Sequence, residues 1–235
     1  MQTIQDCSRL ILVTIVICVL IPILLTIGVF VFGDRKYYVI SIGIVILACL
    51  PFFIRFEHKQ SHPREILLIA VMAGVSVAGR CLFFVIPGFK PVAAITAITG
   101  FALGAEAGFL TGALSAVVSN MFFGQGPWTP FQMFTWGMIG FFAGLIGKKG
   151  KVPSKLALIL FGIFAGVFFS LGMDVWGVMS ATGVFTKEAY MLAIGTAIPF
   201  TIVYALSNVI FLLFLTRPIM EKLHRMKKKY GIFNT

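Results

Sequence analysis

The sequence predicts an all-α integral membrane protein: a six-helix bundle preceded by two extra N-terminal transmembrane helices. Three observations predict it. Apolar blocks of spanning length recur from end to end, 59% of the 235 residues are hydrophobic against 11% charged, and the basic residues gather between the blocks. Soluble domains carry roughly a quarter charged residues. With a mean hydropathy of +1.02, this chain has too little polar surface to cover itself in water, so lipid must be its solvent.

The blocks fall at 10–32, 37–54, 66–86, 92–104, 107–123, 131–147, 156–173 and 189–216. The first is longer than the apolar core of a signal peptide and no small-residue cleavage site follows it, so it reads as a span. Block 92–104 is short, about 20 Å if helical, whereas one continuous helix from Val92 to Phe123 would run about 48 Å. The turn-like Gly104-Ala105-Glu106-Ala107-Gly108 favours two short helices.

Charge supports that division. With eight spans and a cytoplasmic N-terminus, fourteen Lys and Arg fall on the cytoplasmic side (Arg9, the 55–64 linker, the 148–155 loop and the tail) and four outside. Merging 92–123 spoils this positive-inside bias. Both termini are expected in the cytoplasm of a cell with a bacterial-type membrane. The net charge of +11 is thereby explained by orientation and anionic lipid, not by nucleic acid.

Composition divides the chain into residues 1–60, two plain hydrophobic helices and a linker; 61–217, a glycine- and alanine-rich six-helix core with polar residues at membrane depth; and 218–235, a basic cytoplasmic tail. Gly100, Gly104, Gly108 and Gly112, and then Gly137, Gly140, Gly144 and Gly147, suit the close helix packing that lipid demands. Ala70, Gly74 and Ala78, at four-residue spacing, form a smooth stripe on the 66–86 helix, fit for a neighbouring helix of this chain or of another subunit.

Ionisable residues at membrane depth face an interior or a cavity. Arg80 lies roughly 9 Å from the outer end of its helix and needs a partner. Asp174 is the best-placed carboxylate, and either an ion pair or a ligand-facing arginine fits the residues. The proline-bracketed turn Pro87-Gly88-Phe89-Lys90-Pro91, the uncharged loop from Asn120 to Gln132, and Asp174-Val175-Trp176-Gly177, expected to open a third loop, converge on the outer side. Tryptophans anchor helices at headgroups, but Asn120, Gln125 and Gln132 around one aromatic turn suggest an apolar pocket with a few fixed polar groups.

Catalytic signals are missing. The sequence has no HExxH, no GxSxG and no P-loop, since Gly147-Lys148-Lys149 lacks the Ser/Thr and Phe142 stands at the first glycine position. The four cysteines are scattered without metal-ligand spacing. No enzyme activity, metal or cofactor is expected. A lipid-acting enzyme using Asp174 and Glu106 is disfavoured because the two fall on opposite sides of the membrane.

The stretch from Arg64 to about Gly147 resembles the substrate-binding (S) components of energy-coupling factor (ECF) transporters. The resemblance rests on Ala78-Gly79-Arg80, the Phe-rich run into Pro87-Gly88-Phe89-Lys90-Pro91, the hairpin Gly104 to Gly112, and Ser119-Asn120-Met121-Phe122-Phe123-Gly124-Gln125-Gly126-Pro127-Trp128-Thr129-Pro130. It implies a high-affinity vitamin-binding subunit, energised by a separate ECF transmembrane scaffold subunit and two ATPase subunits. It also implies that Ala70, Gly74 and Ala78 dock onto the scaffold, with Gly74 departing slightly from an alanine motif. The two N-terminal helices depart from the six-helix pattern. The candidate ligand contacts, read from the outer polar and aromatic residues, are Arg80, Phe84, Phe89, Lys90, Asn120, Gln125, Trp128, Gln132, Trp136, Asp174 and Trp176. The look is closest to members associated with cobalamin or a precursor such as a benzimidazole nucleoside; other vitamins and a queuosine precursor stay open. The alternative is a stand-alone secondary transporter or facilitator using the same cavity.

Overall fold

Five helices of the core begin or end at a residue whose backbone preference stops the chain there. A computed structural model describes residues 63–147 and 151–230, with Gly43 and Cys49 before them. Among the described residues it shows six helices: α1 (Pro63–Leu82), α2 (Val92–Leu103), α3 (Ala105–Phe123), α4 (Thr129–Ile146), α5 (Lys155–Thr182) and α6 (Lys187–Tyr230). Proline is tolerated in a first turn, where its missing N–H would be unpaired anyway. Pro63 opens α1 and Pro130 lies in the first turn of α4. Ser154 caps α5 by accepting from the Ala157 N–H at 3.2 Å, and Gly183 closes that helix in the left-handed region.

The division of 92–123 into two helices is seen. Gly104 sits at φ 104° between α2 and α3, a conformation that a Cβ would strain. The close-packing glycines explain how α2 and α3 then lie against α4. A Cβ on Gly108 would meet the Gly140 carbonyl oxygen at 2.3 Å, and one on Gly112 would meet the Trp136 backbone at 2.4 Å. These helices touch backbone to backbone, as small residues in lipid allow.

All twelve residues of α2 are buried, and α2 contacts the other five helices. At about 18 Å it is too short to cross a bilayer alone. It needs no spanning length because protein, not lipid, surrounds it. Four helices, α1, α3, α5 and α6, are long and apolar enough to cross a membrane. The chain is a multi-pass membrane protein.

Three boundaries differ from the sequence expectation. Helix α1 stops at Leu82 rather than 86, and the chain turns through successive bonds from Phe84 N–H to the Cys81 carbonyl and Ile86 N–H to the Phe83 carbonyl before the prolines at 87 and 91. Asp174-Val175-Trp176-Gly177 does not open a loop. It lies inside α5, because Gly177 alone costs a helix only about 1 kcal/mol and the helix continues to its cap at Gly183. Helix α6 runs on past 216 through Pro218 to Tyr230. The expected spans 10–32 and 37–54 lie outside the described residues, apart from Gly43 and from Cys49, which is buried against Phe109, Ala113, Met138 and Phe141.

Candidate functional site

On α1 the buried residues Leu68, Ile69, Met72, Ala73, Ser76, Val77 and Arg80 recur at three- and four-residue steps, one face of a helix. Arg80 is therefore the last residue of the inward face, only 8% exposed. Ala70, Gly74 and Ala78 fall between the pairs of that row and are all exposed on the other face. A Cβ on Gly74 would meet nothing within 4 Å.

The guanidinium of Arg80 donates from one nitrogen to Ser119 Oγ and to Asn120 Oδ1, the latter at 2.8 Å. It also lies over the rings of Phe123 and Trp136, 4.7 and 5.2 Å from their centroids. The expected pairing with Asp174 is not present: neutral acceptors on α3 reach the arginine first, and its Nε has no partner among the described residues. Asn120 in turn donates to Thr129 Oγ1 at 2.9 Å and Gln132 Oε1 at 2.8 Å. Thr129 donates to Gln125 Oε1, and Gln125 donates to the Val117 carbonyl. A continuous polar chain thus joins α1, α3, the 124–128 loop and α4. In a low-dielectric setting each link strengthens the next.

Lys90 arrives from the loop between α1 and α2. Its backbone is clamped by Ser207 of α6, whose hydroxyl accepts from the Lys90 N–H at 2.9 Å and lies 3.1 Å from the Lys90 carbonyl. Burial first, and then the charge of Arg80, push the Lys90 ammonium below the usual lysine value.

Arg80, Lys90, Gln132, Trp136, Phe169, Tyr204 and Asn208 line one small cavity of about 120 Å³ at the end of the bundle that carries these loops. Trp136 and Phe169 stack in parallel, 5.3 Å between centroids and 7° between planes. Tyr204 meets Phe169 edge-on at 5.2 Å. Three helices thus supply one aromatic wall, and each such pair is worth about 0.5–1.5 kcal/mol beyond its buried area.

The other sequence candidates sit elsewhere. Asn120 stands behind the cavity, holding Arg80 and Gln132. Gln125 is exposed and spent on its loop. Trp128 and Trp176, 6.3 Å apart, join Phe131 in a separate aromatic cluster at the ends of α4 and α5. Phe84 points outward, 61% exposed, whereas Phe89 packs with Phe83 and Phe211. Asp174 is near enough to Tyr190 and Tyr204 for its charge to act on both, but it does not line the cavity.

Phe169, Tyr204, Ser207 and Asn208 were not singled out from the sequence. The last three carried a signal: polar residues at i, i+3 and i+4 in an apolar span share one inward face.

A larger cleft of about 570 Å³ lies between α2, α4 and α5, lined by Phe101, Phe142, Phe161, Phe164 and other apolar side chains. Leu160 and Ile146 on its rim are exposed, and among the described residues its lining side chains are all apolar. Lipid chains suit it better than a vitamin does.

A bundle of apolar helices with an aromatic cavity and converging polar groups just inside one loop-bearing end defines a membrane-embedded binding protein for a small molecule. The family model described as ECF-type riboflavin transporter, S component, matches residues 60–222, and the chain belongs to that family. It is the substrate-binding membrane subunit of an ECF-type vitamin transporter; the family is one of transport components, not of enzymes. No curated protein matches the chain.

Proposed function

We propose that this chain captures riboflavin, or a flavin of the same fused-ring type, from outside the cell and delivers it to an ECF scaffold subunit driven by two ATPases. The observation that carries the reading is the meeting of the Trp136–Phe169 wall with donors from Arg80, Lys90, Gln132 and Asn208, at a cavity that, at about 120 Å³, takes one end of such a ring system. Riboflavin has a flat tricyclic ring with a dioxopyrimidine edge rich in hydrogen-bond acceptors. An aromatic wall beside fixed donors complements such a molecule. The family match speaks for riboflavin where the look of the sequence leaned towards a cobalamin precursor. A benzimidazole nucleoside shares the flat fused ring and is the natural competitor.

The loop-bearing end faces outward in this reading, on the strength of the basic residues at the opposite end, with both termini cytoplasmic. The exposed Ala70–Gly74–Ala78 face of α1 meets the scaffold.

Titrating the purified full chain with riboflavin and following flavin fluorescence tests the ligand. Saturable quenching is expected, with affinity reduced about tenfold or more in Trp136→Ala, which removes the aromatic wall. Tighter binding of the benzimidazole nucleoside than of riboflavin would overturn the assignment.

A further inference from the structure

The cleft between α2, α4 and α5 is built along one stripe of α5. Ala157, Leu160, Phe161, Phe164 and Phe168 line it at steps of three and four residues, so they share one helix face. From Ala157 to Phe168 that stripe runs about 16 Å, against about 15 Å for half of a hydrocarbon core about 30 Å thick. The cleft is as deep as one leaflet. Its wall is preformed: Phe142 meets both Phe164 and Phe168 edge-on, 5.7 Å between centroids in each case, and Phe101 meets Phe161 in the same way at 5.1 Å. A volume of about 570 Å³ falls within the roughly 300–1,000 Å³ of ligand pockets.

The mouth has the opposite character. Ile146, at the end of α4, and Pro153, just before α5, both line the cleft, so the short connection between them starts and ends at its rim. That connection carries Lys148, Lys149 and Lys151, and Lys151, two residues from Pro153, is exposed. In the orientation proposed above, this end faces the cytoplasm. An apolar trough one leaflet deep with ammonium groups at its rim complements a molecule that has a hydrocarbon chain and an anionic head. Basic pockets between transmembrane helices on the cytoplasmic side hold such headgroups.

We propose that the cleft is a binding site for one anionic phospholipid of the inner leaflet, with an acyl chain laid along α5 from Ala157 to Phe168 and its phosphate at Lys151. The site is distinct from the vitamin cavity. Phe168 ends the cleft, while its neighbour Phe169 belongs to the wall with Trp136. The inference therefore stands whichever solute the cavity takes.

The test is native mass spectrometry of the full chain in mild detergent, offered equal amounts of phosphatidylglycerol and phosphatidylcholine with the same acyl chains. The first lipid bound should be phosphatidylglycerol by about fivefold or more, the factor that one lysine near a charged headgroup supplies. Lys151→Gln should bring the ratio towards unity. Arg225→Gln, the same loss of charge on the tail of α6, should leave it unchanged. Lys151 and Arg225 are both exposed, so neither variant disturbs the packing on which the cleft depends. Ala157→Phe, which fills the trough beside its mouth, should lower the first binding of both lipids. No preference in the native chain, an equal effect of Lys151→Gln and Arg225→Gln, or undiminished lipid binding in Ala157→Phe would each overturn the proposal. Retention of neither lipid by the native chain would overturn it as well and give the cleft to another segment of the chain.

Discussion

Lys90 shows at a single residue how binding and stability pull apart. Its ammonium is held below the usual value by burial and by Arg80, so the empty fold disfavours the charge. Between that lowered value and the ordinary one, the unfolded chain holds a proton that the folded chain has lost. Stability of the ligand-free protein therefore rises as pH climbs through this window. Lys90→Met should melt higher than the native chain at neutral pH, and the two curves should converge towards pH 10.5. Parallel melting curves across pH 7 to 10.5 would contradict this. Arg80 differs because it is tied into a network. Its inward place beside the cavity was legible from charge at membrane depth, but its partners were not. Ser119 and Asn120 lie 39 and 40 residues away, and no spacing rule selects them over Asp174.

The elements were more legible than the contacts between them. Apolar blocks and positive-inside bias separated α2 from α3 at Gly104, as the structure shows. The same reasoning missed that α5 continues past Asp174, since an aspartate, a tryptophan and a glycine resemble a loop mouth while one glycine is too weak to break a long apolar helix. Phe169 was invisible for another reason: it is one phenylalanine among twenty-five, and only the fold singles it out against Trp136. The glycine-lined contacts give a prediction at this scale. Gly140→Ala places a methyl 2.3 Å from the Gly108 carbonyl oxygen, and backbone cannot yield as a side chain can. It should destabilise the bundle by about 1–3 kcal/mol, seen as a lowered melting temperature in detergent. An unchanged melting temperature would contradict the backbone contact of α3 with α4.

At the scale of the whole molecule, α1 carries two faces that, in the proposed function, meet different partners. Its inward face ends in Arg80 at the cavity, and its outward face presents Ala70, Gly74 and Ala78, with Ile66, Leu67, Val71 and Val75 also exposed around them. A cavity near one end and a smooth flank along the membrane suit a subunit that must hold a ligand and also meet a scaffold helix closely. Because the two faces point apart, damage to one should spare the other. The most direct measurement is an affinity pull-down from native membranes, with the tagged native chain beside Gly74→Leu and riboflavin binding measured on both purified chains. The native chain should bring down a scaffold subunit and ATPases, while Gly74→Leu should bind riboflavin equally well and come down alone. Equal recovery of partners by both chains, or recovery of the native chain alone, would contradict this, the latter in favour of a stand-alone transporter.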